Sequence, residues 1–218
     1  GHGRWSRESC NPAMRNFKVV LAYDGTGLVG WQRQAAGTSV QGLLEDVLRD
    51  LDGRSVVVHG AGRTDAGAHA LGQVASFALE RAITADTLVR AINARLPDAI
   101  RVLDAADVDA GFHARFSARA KTYRYRIWNG EVANPFERAY AWHVIGALNV
   151  DAMRAATRTL EGCHDFAAFQ ASGGTAATTE REIYRSQIES GQSNSLDRLI
   201  SYEVTGNGFL RHMVRTIV

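Results

Sequence analysis

The chain has 218 residues, 45% hydrophobic and 22% charged, with a formal net charge of +2. That is the profile of a soluble globular protein of one or two domains, long enough to bury a core without staples. No apolar run approaches the ~18 residues of a membrane span and nothing reads as a secretory signal. The two cysteines, Cys10 and Cys163, form no CxxC pair and no disulfide framework, which fits a reducing cytoplasm.

In chain order, residues 1–15, opening on "GHGRWSRESCNP", have no periodicity and read as a disordered leader or tag remnant. "NFKVVLAY" (Asn16–Tyr23) is a strand by its β-branched and aromatic content, ended by the turn signal "DGTG". Thr38 and Gln41 fit a capping box ahead of a helix whose apolar residues Val40, Leu43, Leu44, Val47, Leu48 and Leu51 recur at helical spacing. "SVVVHG" (Ser55–Gly60) and "GQVASFAL" (Gly72–Leu79) read as strands, "TADTLVRAINARLP" (Thr84–Pro97) as a helix closed by its proline, and "AIRVLD" (Ala99–Asp104) as a final strand. The order βαββαβ is the ferredoxin-like pattern.

The second half repeats it. "KTYRYRIW" (Lys121–Trp128) is a strand that "AYAWHV" (Ala139–Val144) continues, and Asn149 caps a helix from Val150 to about Leu160. "REIYRSQIE" (Arg181–Glu189) and "RLISYEVT" (Arg198–Thr205) form a strand pair, and "FLRHMVRTIV" (Phe209–Val218) opens a helix on which Arg211 and Arg215 share a face. "QASGGTAATT" and "SGQSNSLD" read as mobile loops. The expected fold is α+β: two ferredoxin-like halves, residues 16–110 and 111–218, with mainly antiparallel sheets side by side and helices on one face, the second half incomplete at its end.

"GTGLVG" (Gly25–Gly30) matches GxGxxG after a strand, but no helix opens at that loop and no acidic residue follows a second strand to hold ribose, so no nucleotide cofactor is expected. The seven histidines include no HExxH, and "CHD" (Cys163–Asp165) lacks partners at ligand spacing, so no metal is expected either. Among the 25 basic residues all but Lys18 and Lys121 are arginines, suited to phosphate forks and base stacking, although a GC-rich genome gives the same bias.

Two segments carry candidate chemistry. Between Asp109 and Glu131 there is no acid, while Arg115, Arg119, Lys121, Arg124 and Arg126 alternate with Phe112, Phe116, Tyr123, Tyr125 and Trp128. Cations for phosphates and rings for bases are the mixture that holds looped RNA, and an amphipathic strand with a solvated arginine face is the plainer reading. "GAGRTDAGAHALGQ" (Gly60–Gln73) places Asp65 among small residues that leave room for a large substrate, with Arg63 two residues away. An Asx turn would use an aspartate in the same way.

"AGRTDAGAHA", "YDGTGLVGWQRQ", "FHARFSARAKTYRYRI" and "GFLRHMVRTIV" together resemble the TruA family of tRNA pseudouridine synthases, in the family's order and over nearly the whole chain from Phe17 onward. The resemblance implies a cofactor-free isomerase acting on uridines 38, 39 and 40 of the tRNA anticodon stem-loop, as a homodimer. It implies that Asp65 is the nucleophile, that Tyr123 stacks on the target base and assists proton removal, that Arg63 helps extrude the base, and that Arg215 pairs with the aspartate. His69 and Arg115, in the same motifs, complete the substrate-binding set. A non-catalytic RNA-binding module of ferredoxin-like fold is the alternative, but its usual RNP1 signature is absent and it gives Asp65 no task.

Overall fold

The computed structural model describes residues 14–174, 176–192 and 198–218. Two compact units divide the chain, the first running through Ala118 and the second starting at Arg119.

In the first unit β1 (Arg15–Tyr23), α1 (Val40–Asp52), β2 (His59–Gly60), β3 (Ala70–Leu79), α2 (Ala85–Asn93) and β4 (Ile100–Val108) build a four-stranded sheet in the order β2-β3-β1-β4, every neighbouring pair antiparallel. This is the ferredoxin-like arrangement. Alternation along β1 decides which face is covered: Phe17, Val19, Leu21 and Tyr23 are buried in one cluster with Val40, Leu44 and Leu48 of α1 and Leu88 and Ile92 of α2. Burying such side chains supplies most of the unit's stability, ~1.5–3 kcal/mol for each large one. β1 starts at Arg15, inside the stretch read as leader, because that residue pairs with Leu79 and its guanidinium reaches Asp107 and the Ile83 carbonyl. Residues 1–13 of that leader lie outside the described residues.

The cap of α1 differs from expectation. Ser39, not Thr38, is the N-cap, and its Oγ accepts from Gly42 N–H at 3.2 Å. Gln41 is the second helical residue, buried sideways: its Oε1 accepts from Gln32 and from Arg33 N–H, and its Nε2 donates to the Val58 carbonyl. Ser39→Ala is therefore expected to lower stability by about 1 kcal/mol, where Thr38→Ala changes little, as read by thermal denaturation of the two variants.

"SVVVHG" buries Val56 and Val58, yet pairs with β3 only through His59 and Gly60. The segment after β4 still belongs to this unit, because Ala114 N–H donates to the buried Ser76 Oγ at 3.0 Å and the His113 ring packs on His59.

The second unit holds β5 (Lys121–Asn129), β6 (Trp142–Val144), α3 (Val150–Arg158), β7 (Gly162–Asp165), a 3-10 turn at Ala167–Phe169, β8 (Glu180–Gln192), β9 (Arg198–Gly206) and α4 (Met213–Ile217). Its five-stranded sheet has the order β6-β5-β9-β8-β7. "AYAWHV" does not continue β5: the intervening residues turn back, and β6 pairs beside it in parallel, Ile127 with Trp142. Strand β7 is not expected from sequence because its four residues, "GCHD", are all exposed and carry no alternation. Asn149 caps α3 as expected, accepting from Ala152 N–H at 2.9 Å.

Tyr123, Tyr125 and Ile127 lie opposite Val204, Tyr202 and Ile200 and share the covered face. On the other face Thr122 bonds Thr205, Arg124 pairs with Glu203 at 2.7 Å and Arg126 with Glu137 at 2.9 Å. The helix expected from Phe209 begins only at Met213. His212 sits in the left-handed region at φ 58°, which breaks the helical path before it, so Arg211 is outside α4 and shares no helix face with Arg215. Arg211 instead donates to the Ser172 carbonyl at 2.9 Å. Of the two segments read as mobile loops, 170–179 forms turns where it is described, 190–192 end β8, and 193–197 lie outside the described residues. No helix among the described residues is long and apolar enough to cross a membrane.

Candidate active site in the Asp65 loop

The loop between β2 and β3 carries Arg63, Asp65 and His69, and its position is set by backbone packing against the glycines just beyond β1. Gly25 has no room for a side chain: a Cβ there would lie 2.1 Å from the Ala68 carbonyl oxygen. Gly30, at φ +100°, would place a Cβ 2.4 Å from Thr64 O and 3.0 Å from Asp65 C. "GTGLVG" is thus a close-approach segment for the aspartate loop, which the GxGxxG spacing does not disclose. Nor is the start of α1 open to a phosphate, since Val40 N–H donates to Gly30 O, Gln41 N–H to Trp31 O and Gly42 N–H to Ser39 Oγ.

Hydrogen bonds complete the clamp. Trp31 N–H donates to Thr64 O at 3.1 Å, Gly67 N–H to Leu28 O at 3.1 Å, and Ala68 N–H to Asp65 O at 3.1 Å. Behind Asp65, Thr64 Oγ1 lies 2.9 Å from the hydroxyl of the buried Tyr23. The loop's entrance is held by Gln73, whose amide donates to Gly62 O at 2.8 Å. Trp31, 2% exposed, packs on Gly60 at the end of β2. These struts, on backbone and on Thr64, fix the main chain that carries Asp65, which is exposed. The supporting roles of Tyr23, Thr64, Gly25, Gly30 and Trp31 are not apparent from sequence, although four of them belong to "YDGTGLVGW".

His69 is half-buried. Its Nδ1 lies 3.1 Å from the Gly25 N–H and 3.0 Å from Asp24 Oδ1. The two contacts exclude one another on one nitrogen: the neutral ring with its proton on Nε2 accepts from Gly25, and an Nδ1–H donates to Asp24. Either way His69 ties the aspartate loop to the turn after β1. Arg63 is exposed beside Asp65.

Arg115 is exposed on the segment after β4, its guanidinium 5.7 Å from the Phe116 ring centroid. In the second unit Tyr123 is half-buried and edge-on to Phe209, ring centroids 4.9 Å apart, and Arg215 is exposed on α4. Arg124 and Arg126, expected as phosphate cations, are engaged by glutamates from elsewhere in the chain.

Because the hydroxyl of buried Tyr23 meets Thr64 Oγ1 behind the loop, Tyr23→Phe is expected to lower stability by about 1 kcal/mol, as read by thermal denaturation.

A family model described as tRNA pseudouridine synthase matches residues 19–117 and 156–218, spanning the Asp65 loop, Arg115 and Arg215. The chain is 45% identical over 205 residues to tRNA pseudouridine synthase A of Solibacter usitatus, covering 94% of this chain and 85% of that protein. It is 43% identical to the proteins of that name from a Thermoanaerobacter species and from Lacticaseibacillus casei, covering 94% of this chain and 82% of each relative. With the close-packed glycines, the clamped aspartate loop and this extent of identity, the chain belongs to the tRNA pseudouridine synthase A family.

Proposed function

We propose that this chain isomerises uridine to pseudouridine in tRNA, at positions 38, 39 and 40 of the anticodon stem-loop, with Asp65 as the nucleophile and without a cofactor. The observation that carries the reading is the exposed Asp65 on a loop whose backbone is clamped at Thr64, Gly67 and Ala68 and whose next residues in sequence, Ala66, Gly67 and Ala68, are small. An exposed carboxylate on a fixed main chain meets the geometric needs of attack on a bulky substrate.

The reaction breaks the N1–C1′ glycosidic bond, turns the uracil ring and joins C5 to C1′. The proton on C5 is then lost, N1 regains a proton, and nothing is oxidised or released from the RNA. Asp65 serves each of three routes: attack at C1′, addition to C6 of the ring, or formation of a glycal. Tyr123 is assigned to the base and to removal of the C5 proton, Arg63 to extrusion of the base, Arg215 to the charge of the aspartate, and Arg115 and His69 to holding RNA. These assignments, like the homodimer and the cytoplasmic location, rest on the family resemblance. Unstacking the target costs a few kcal/mol, which contacts to the flipped base and to phosphates offset.

The test is to incubate the chain with an unmodified full-length tRNA and map pseudouridine by carbodiimide modification and primer extension. Stops at positions 38–40 are expected, and none when cytidine replaces uridine there. Modification confined to another stem of tRNA would overturn the site assignment.

A further inference from the structure

Among the rings of the first unit, one set is not used by the core or by the aspartate loop. His59 of β2, His113 and Phe116 form a tilted stack, ring centroids 4.5 Å apart with planes at 33° from His59 to His113 and 4.5 Å apart with planes at 39° from His113 to Phe116. Phe116 ends the stack and is 77% exposed. A lone exposed phenylalanine is ordinary. This one differs because its turn is rigid. Phe116 N–H and Ser117 N–H both donate to His113 O, His113 N–H donates to Ser117 Oγ, and Arg115 N–H donates to His113 Nδ1. The stack is also anchored at its base, since Ala114 N–H donates to buried Ser76 and β2 leads directly into the loop bearing Asp65.

We propose that the exposed Phe116 ring is a stacking platform for an unpaired base of the RNA substrate, with the Arg115 guanidinium, which lies over that ring, available to the adjoining phosphate. The inference rests on the reading of the chain as an enzyme acting on RNA, and it adds a subsite separate from the reacting uridine. The chemistry points to a nucleobase: a flat π-face held in place costs little ordering on binding, and a cation at 5.7 Å from the ring centroid supplies the charge that a nucleotide's phosphate requires. An aliphatic protein partner would have no use for the cation, and the acid-free stretch from residue 110 to residue 130 keeps that charge unopposed by its sequence neighbours.

The test uses the full chain carrying Asp65→Ala, so that no conversion intervenes, and an anticodon stem-loop RNA with 2-aminopurine at one loop position at a time. Stacking on Phe116 quenches the probe at one position, and Phe116→Ala abolishes that quenching and weakens binding by ~10-fold or more. Phe116→Trp restores both, which a general loss of folding would not allow. Quenching and affinity that are the same in Phe116→Ala would overturn the platform. The two readings fail separately: pseudouridine formed by the Asp65 chain with quenching independent of Phe116 removes the platform alone. Phe116-dependent quenching without any pseudouridine removes the enzyme reading and leaves an RNA-binding platform.

Discussion

Asp65→Asn leaves tRNA binding within about two-fold of the parent and lowers pseudouridine formation by at least ~1,000-fold, about 4 kcal/mol of lost transition-state stabilisation. The amide keeps the shape of the carboxylate and removes its charge and nucleophilicity. The substitution leaves in place the main-chain clamps of the loop: Trp31 N–H to Thr64 O, Gly67 N–H to Leu28 O and Ala68 N–H to Asp65 O. Binding is expected to survive because a carboxylate makes no favourable contact with phosphate. Gel-shift titration against an anticodon stem-loop gives the first quantity and single-turnover assay the second. A variant that turns over at a tenth of the parent rate would remove Asp65 from the nucleophile's role.

Gly30→Ala is the second large effect, and it works without touching substrate. The new methyl would fall 2.4 Å from the Thr64 carbonyl oxygen and 3.2 Å from Ala66 N, both backbone atoms that cannot swing aside. The φ of +100° adds strain for any side chain. The loop must move, and displacement of a catalytic group by ~1 Å costs on the order of 100-fold in rate. Stability should fall by about 2–4 kcal/mol. Gly27→Ala is the internal control: its φ is +76°, but nothing lies within 4 Å of the added Cβ. That variant should lose only about 1 kcal/mol and keep its rate. Equal rates in the two variants would show that the contact of the glycine segment with the aspartate loop has no bearing on catalysis.

Much of this architecture is visible in the sequence because it is periodic. The alternation Phe17, Val19, Leu21, Tyr23 and the helical recurrence Val40, Leu44, Leu48 each report the covered face of one element, and one element's own residues suffice. The features that sequence conceals depend on a partner far along the chain. The window without acids from Asp109 to Glu131 makes Arg124 and Arg126 look unopposed, whereas Glu203 arrives through strand pairing and Glu137 from the turn before β6. Ser39 outcompetes Thr38 as cap because the chain enters α1 one residue later than the box pattern implies. The glycines of "GTGLVG" are plain in the sequence and their purpose is not, since only the folded backbone brings Ala68 and Thr64 against Gly25 and Gly30. Asp65 itself is legible through resemblance: in local sequence it is indistinguishable from an Asx-turn residue.

Isomerisation of uridine through Asp65 is tested most directly by tritium release from an anticodon stem-loop carrying tritium at C5 of uridine, the parent chain assayed beside Asp65→Ala. Release by the parent and none by the variant is the predicted result. Release at equal rates from both would contradict the role of Asp65, and bound RNA with no release from either would contradict the reaction.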